Sequence, residues 1–312
     1  MSETYAVTGA TGFIGRRVAA RLLAAGHEVV NLTGHPARTT PHSASMRTEP
    51  LAFDQPAQLS RTLRGARVLV NTYWVRFERG QTTFQRAVDN TERLLLAAAG
   101  AGVERVVHLS ITNPSHASVL PYFAGKAAAE DLVRGSGMSW AIVRPTWVFG
   151  PDDILLNNIA WSLRHLPLFG IPGDGQYPVQ PVHVGDLGEL VAHLAASREE
   201  VVVDAPGRER YSFDELVRLV GWATGSRARI IHLPPRLALA SAAAIGALVS
   251  DVMLTMDEVR GLQAGLLVSD AEPVGTTSLA HWLYHHHLEV GHRYASELAR
   301  HYQDARAADG AA

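Results

Sequence analysis

Residues 5–26, YAVTGATGFIGRRVAARLLAAG, set three glycines between a strand-like run and a helical repeat. YAVTG is short and apolar, and Ile14, Val18, Leu22 and Leu23 then recur at helical spacing until Gly26 closes the helix. A strand that feeds a helix through a tight turn rejoins its sheet in parallel, by a right-handed crossover. The pattern repeats through the first half of the chain. HEVVNLT, TEPLAF, ARVLVNTY, VERVVHLS and SWAIVRP read as further strands, with helices predicted over 56–64, 80–99 and 122–135. Apolar strands alternating with helices predict an α/β fold, a doubly wound parallel sheet covered on both faces.

After FGPDD the pattern breaks. Residues 151–181 are rich in proline and glycine, as in GIPGDGQYPVQP. VHVGDLGELVAHLA then reads as a helix and EVVVDAP as a strand, and from 207 the chain is mostly helical with RIIHLP strand-like within it. The expected organisation is a dinucleotide-binding domain over 1–150 plus about 182–206, and a smaller, mostly helical substrate lobe over about 151–181 plus 207–312. LALASAAAIGALV, 237–249, is too short for a membrane span and is read as a buried helix rather than a membrane-contacting one. ARAADGAA at the end reads as frayed.

Composition excludes several classes. A chain of 312 residues with 47% hydrophobic and 19% charged residues buries a large core and is not a disordered polymer. A net charge of −2 offers no footprint for nucleic acid. Without cysteine there is no disulfide framework, Cys-bound zinc or thiol nucleophile, which fits a cytoplasmic location. The opening MSETYAVTGATG lacks the layout of a signal peptide. His281 and His285 have an i, i+4 spacing known from zinc sites, but the stretch HWLYHHHLEVGH is read as a histidine-rich helix end, and no metal is expected.

In TGATGFIG the glycines fall at Gly9, Gly12 and Gly15. One permits the tight turn, one lets backbone approach a pyrophosphate and one lets helix pack on strand, while the helix N-terminus offers free N–H groups to phosphate. The turn residues Thr11, Phe13 and Ile14 are expected to line the same site. An acid ending the second strand would select NAD through the ribose 2′-hydroxyl, but NLTGHPAR has none. Arg38, with Arg16 or Arg17, suits a 2′-phosphate, so NADP is expected ahead of NAD. Asp54 is a candidate acceptor for the adenine amino group, and Asn71 ends the fourth strand where the nicotinamide half belongs.

Lys126 is the only lysine among 28 Lys and Arg residues, and it follows Tyr122 by four positions in PYFAGKAAAEDL. On a helix that spacing puts both on one face. A tyrosine exchanges a proton with a carbonyl or alcohol at neutral pH only if its phenolate is stabilised, and a compact ammonium does this where a planar guanidinium does not. Ser110, ending VVHLS, is the candidate donor to the substrate oxygen, with Thr112 as the alternative across Ile111.

Gly9, Gly12, Gly15, Ser110, Tyr122 and Lys126 together resemble the extended or atypical short-chain dehydrogenase/reductases. VDNTERLL with Asn90, VRPTWVFGP with Arg144 and Pro145, and PVHVGDL with His183 and Asp186 look like further family segments, so the likeness spans about residues 5–205. The resemblance implies a Rossmann fold, Tyr122 as acid/base, Lys126 as its modulator and ribose anchor, Ser110 as hydrogen-bond donor, Asn90 as relay or helix-kinking residue, and Pro145 beside the cofactor. Nucleotide-sugar members carry an arginine near the place of Val179, and its absence favours a smaller or more apolar substrate. The leading expectation is an NADP(H)-dependent oxidoreductase acting on a small carbonyl or alcohol. Two alternatives stand beside it: a sugar epimerase/dehydratase, and a cofactor sensor or accessory protein without turnover. A homodimer through the Tyr122 helix, as in many relatives, is left open.

Overall fold

The computed structural model describes residues 2–302, so the expected frayed end ARAADGAA lies outside the described residues. The chain divides into two compact units, Met1–Pro145 with Val184–Ala205, and Thr146–His183 with Pro206–Ala312.

The first unit opens with β1 (Thr4–Thr8), α1 (Gly15–Ala24), β2 (Glu28–Thr33), β3 (Met46–Pro50), α2 (Pro56–Leu63) and β4 (Val68–Asn71). It continues with α3 (Phe84–Gly100), β5 (Arg105–Leu109), α4 (Pro121–Arg134) and β6 (Ser139–Pro145). The second unit takes over with β7 (Val148–Phe149), α5 (Ile154–His165), β8 (Leu168–Pro172), β9 (Pro178–Val179) and β10 (Val182–His183). The chain returns to the first unit for α6 (Val184–Ala196) and β11 (Val201–Ala205). The second unit then finishes with β12 (Tyr211–Ser212), α7 (Phe213–Ala223), β13 (Arg229–Leu233), α8 (Pro235–Val249), α9 (Met256–Gln263), α10 (Leu279–His286) and α11 (Glu297–His301).

Seven strands of the first unit form one parallel sheet in the order β11-β6-β5-β4-β1-β2-β3. The order reverses between β1 and β4, the switch point at which doubly wound sheets bind ligands beyond the strands' carboxyl ends. β1, β4 and β5 are buried nearly throughout, as continuous Val/Leu-rich runs require when helices cover both faces. On one face Leu32, Leu69 and Ile142 pack against Leu59, Leu63 and Leu94 from α2 and α3. Thr83 caps α3 by accepting from the Arg86 amide, which starts that helix four residues later than its polar lead-in suggested. β3 ends at Pro50, so only the front of TEPLAF is strand.

In the second unit the proline and glycine content of 151–181 hides a regular helix. Within α5 the spacing of Leu156, Ile159, Ala160 and Leu163 buries one face, and Asp153 caps it through the amides of Leu155 and Leu156. Those buried side chains join Phe149, Phe213 and Leu216 in the unit's own core. α8 overturns the expectation of a buried helix. Only Ala238 and Gly246 of its residues are buried. Both faces of this helix are apolar, so hydropathy alone could not reveal that one packs on β8 and β13 while the other is exposed. No helix among the described residues is long and apolar enough to cross a membrane.

Candidate active site

The glycine turn sits at the carboxyl end of β1. Gly9 adopts φ +63°, its amide donates to the Leu32 carbonyl at 2.7 Å, and its own carbonyl accepts from the Gly12 amide at 2.7 Å. A Cβ on Gly15 would lie far inside van der Waals contact with the Gly9 carbonyl oxygen. Close seating of α1 on the turn therefore depends on Gly15. No side chain caps α1, so its opening amides face the turn with the positive end of the helix dipole behind them. Thr11 is buried and Phe13 and Ile14 are half-buried around this cradle. These features fit a pyrophosphate, and Gly15→Ala is expected to raise the dissociation constant for NADPH at least roughly tenfold, because backbone rather than a flexible side chain must yield. A fluorescence titration of the nucleotide reads this; an unchanged constant would mean the turn does not hold the phosphates.

The end of β4 is tied to the same place. The Thr72 amide donates to Thr8 Oγ1 at 2.7 Å, and Thr72 Oγ1 donates to the Thr8 carbonyl at 2.5 Å. Beyond β2 no acid follows Thr33; Gly34 is exposed and Arg38 is half-buried in the succeeding loop. Two expected cofactor contacts have other partners. Asp54 is largely exposed and paired with Arg93 at 2.9 Å and Arg86 at 3.5 Å. The Asn71 amide is engaged inside the sheet: Oδ1 accepts from the Tyr73 amide and Thr8 Oγ1, and Nδ2 donates to His108 Nδ1 at 3.1 Å. A position at a strand end does not disclose which neighbours will take a side chain, and here strong local donors and acceptors do.

α4 begins with Pro121, which pre-sets the first helical turn, so Tyr122 stands at the helix's opening and Lys126 one turn on. Both reach one indole. The Tyr122 ring meets Trp74 edge-on at 6.1 Å, and Lys126 Nζ lies over the Trp74 ring at 4.4 Å. Phe84 and Phe123 also contact the Tyr122 ring edgewise, at 5.7 and 5.5 Å. Gly125, between the two polar residues, leaves room for Trp74: a Cβ there would press on the indole at 3.2 Å. Trp74 Nε1 is buried with no hydrogen-bond partner.

Lys126 is 3% exposed and donates to the carbonyl of Leu109, the last residue of β5, at 2.8 Å. Burial pulls its pKa down to about 7, and the nearby Glu130 charge works against that shift. Glu130, one turn further along α4, is itself buried. Burial pushes its carboxyl up, but Arg144, Ser110 and Arg134 hold it net below the usual value. Arg144 grips it with two hydrogen bonds, 2.8 and 2.6 Å, and Arg134 adds one of 2.9 Å. The Ser110 hydroxyl lies close enough to Glu130 to favour its ionised form, yet it is buried without a well-formed hydrogen bond of its own. Thr112 is fully buried, its amide donating to the Pro145 carbonyl at 3.0 Å. Asn90, on α3, donates to the Tyr73 hydroxyl at 2.9 Å.

His108 completes the interior. Its Nδ1 accepts from Asn71, which leaves the neutral ring's proton on Nε2, a buried atom with no partner. Burial and then the Lys126 charge hold its pKa well below the usual histidine range. The structure thus sets Lys126 at the carboxyl end of β5, where Ser110 follows, sets Tyr122 and Lys126 against one indole, and places Asn90 on Tyr73. Sequence reasoning missed Glu130, His108 and Trp74. Glu130 was readable as the next i+4 step after Tyr122 and Lys126, and His108 as the polar residue inside a β-branched strand; nothing marked Trp74.

A family profile described as NAD(P)H-binding matches residues 9–154. The chain is similar to a ceramide reductase of Caulobacter vibrioides, 27% identical over 234 residues that make up 73% of each protein. It is also similar to the mitochondrial NADH dehydrogenase [ubiquinone] 1 alpha subcomplex subunit 9 of Arabidopsis thaliana, 24% identical over 286 residues, 85% of this chain and 70% of that one. Among solved structures, the triphenylmethane reductase of Citrobacter sp. complexed with NADP(H) superposes with a TM-score of 0.73 at 16% identity, covering 90% of this chain and 99% of the other.

Proposed function

From a chain that belongs to the extended short-chain dehydrogenase/reductase-like family of NAD(P)-binding proteins, we infer an NADP(H)-dependent reductase of a carbonyl carried on an apolar body. The single observation that carries this reading is the convergence of Tyr122 and Lys126 on Trp74, with Ser110 at the end of the adjacent strand. When bound, the reduced nicotinamide supplies the hydride. Tyr122 Oη donates the proton that the reduced carbonyl oxygen takes up. Lys126 favours the phenolate left behind, and Ser110 Oγ donates to the same substrate oxygen. Glu130, clamped by Arg144, keeps a fixed negative charge near Lys126 and so opposes the loss of its proton.

The apolar substrate class draws support from the aromatic rings around Tyr122. A ceramide reductase among the relatives points the same way. NADP is preferred to NAD because β2 ends without an acid and Arg38 follows it.

Two observations favour the reading without turnover: Lys126 Nζ is engaged by Leu109 and covered by Trp74, and the chain is similar to an NADH dehydrogenase subcomplex subunit. NADPH deuterated at C4, offered with long-chain ketones and aldehydes, separates the two. Deuterium on the carbinol carbon of a product is the expected result. Tight NADPH binding with no label in any product would leave the sensor reading.

A further inference from the structure

The outward side of α8 inverts the usual rule for a surface helix. Leu237, Ala240, Ala244, Ala247 and Leu248 recur along the exposed face, with Leu237 55% and Leu248 87% exposed. The polar residues on that face are Arg236, at its first turn, and Ser241, whose hydroxyl donates back to the Leu237 carbonyl and so offers little to water. A further apolar side chain is exposed beside it: Leu168, which opens β8, a strand on which α8 packs.

The charges carried by this stretch of chain have one sign. From residue 216 to residue 250 there is no Asp or Glu. Arg227, Arg229 and Arg236 are exposed and make no ion pair among the described residues, and Arg229 lies in register beside Leu168. An isologous pair of copies would bring two arginine-bearing faces together. A negatively charged, featureless apolar layer matches both properties: the alanine-smooth face and the unpaired cations.

We propose that α8 and its flanking arginines dock this protein on an anionic phospholipid bilayer, lying in the headgroup region without crossing it. The inference is independent of the reaction assigned to Tyr122 and Lys126.

Flotation of the full chain with phosphatidylglycerol vesicles, compared with phosphatidylcholine vesicles, tests it. The protein is expected to float with the anionic vesicles at low salt, to be released by high salt, and to stay behind with the zwitterionic ones. Replacing Arg227, Arg229 and Arg236 together with Gln should weaken binding roughly a hundredfold. Leu248→Glu should weaken it as well. All four side chains are exposed, and an unchanged circular dichroism melt establishes that the variants fold. No flotation of the wild type, or equal flotation of the arginine variant, overturns the proposal. So does a wild-type dimer, indifferent to vesicles, that Leu248→Glu turns into a monomer; that outcome would make the face an interface between copies.

Discussion

Tyr122→Phe is expected to keep the protein folded and NADPH bound while turnover falls by about 10²–10⁴-fold. The substitution removes one oxygen. The ring's edgewise contacts with Trp74, Phe84 and Phe123 involve carbon atoms that phenylalanine retains, so the aromatic packing around α4 is kept. What disappears is the proton donor, and the loss should appear in kcat at every substrate concentration rather than in KM. A parallel NADPH titration must give a dissociation constant close to that of the unaltered protein. Turnover equal to wild type, with a product carrying the deuterium label, would take Tyr122 out of the mechanism.

Much of the sheet was legible because its strands are buried on both sides and so read as unbroken apolar runs ended by glycine or proline. The glycine turn was legible for a related reason: the need for Gly15 is a matter of backbone contact, which spacing alone records. Side-chain partners were not. Asp54 sits within reach of Arg86 and Arg93, which lie roughly thirty to forty positions later on α3, and no local pattern announces that meeting. Asn71 was placed at the right strand end, yet His108, Tyr73 and Thr8 surround it there. Trp74 follows an ordinary strand end, and no local pattern announces that its ring will lie under Lys126, about fifty positions later on α4. α8 misled because mean hydropathy counts all of a helix's faces equally, whereas burial is decided by what lies against each.

Lys126→Met should be more stable than wild type at neutral pH and nearly inactive. The lysine's pKa is about 7 in the folded protein against 10.5 when exposed, so between those values the unfolded chain binds the proton more readily than the native one. Native stability therefore rises with pH from about 7 to 10.5, and below 7 the full cost of the buried ammonium is present. Methionine removes that cost and fills similar volume, which favours the folded state by ~1–4 kcal/mol at pH 7, while Glu130 keeps its bonds to Arg144 and Arg134. The slope of stability between pH 7 and 10 should flatten in the variant; denaturant midpoints across that range measure it. Turnover should fall by at least ~10²-fold, because the ammonium that favours the phenolate is gone. The solitary lysine makes the cause directly observable. Protein labelled with ¹³C-lysine gives one side-chain signal, whose titration should centre near 7 in the free protein and move upward when NADPH brings its negative charge to the site. A midpoint near 10 would mean that this ammonium is not desolvated, and both halves of the expectation, greater stability and lost catalysis, would fail together.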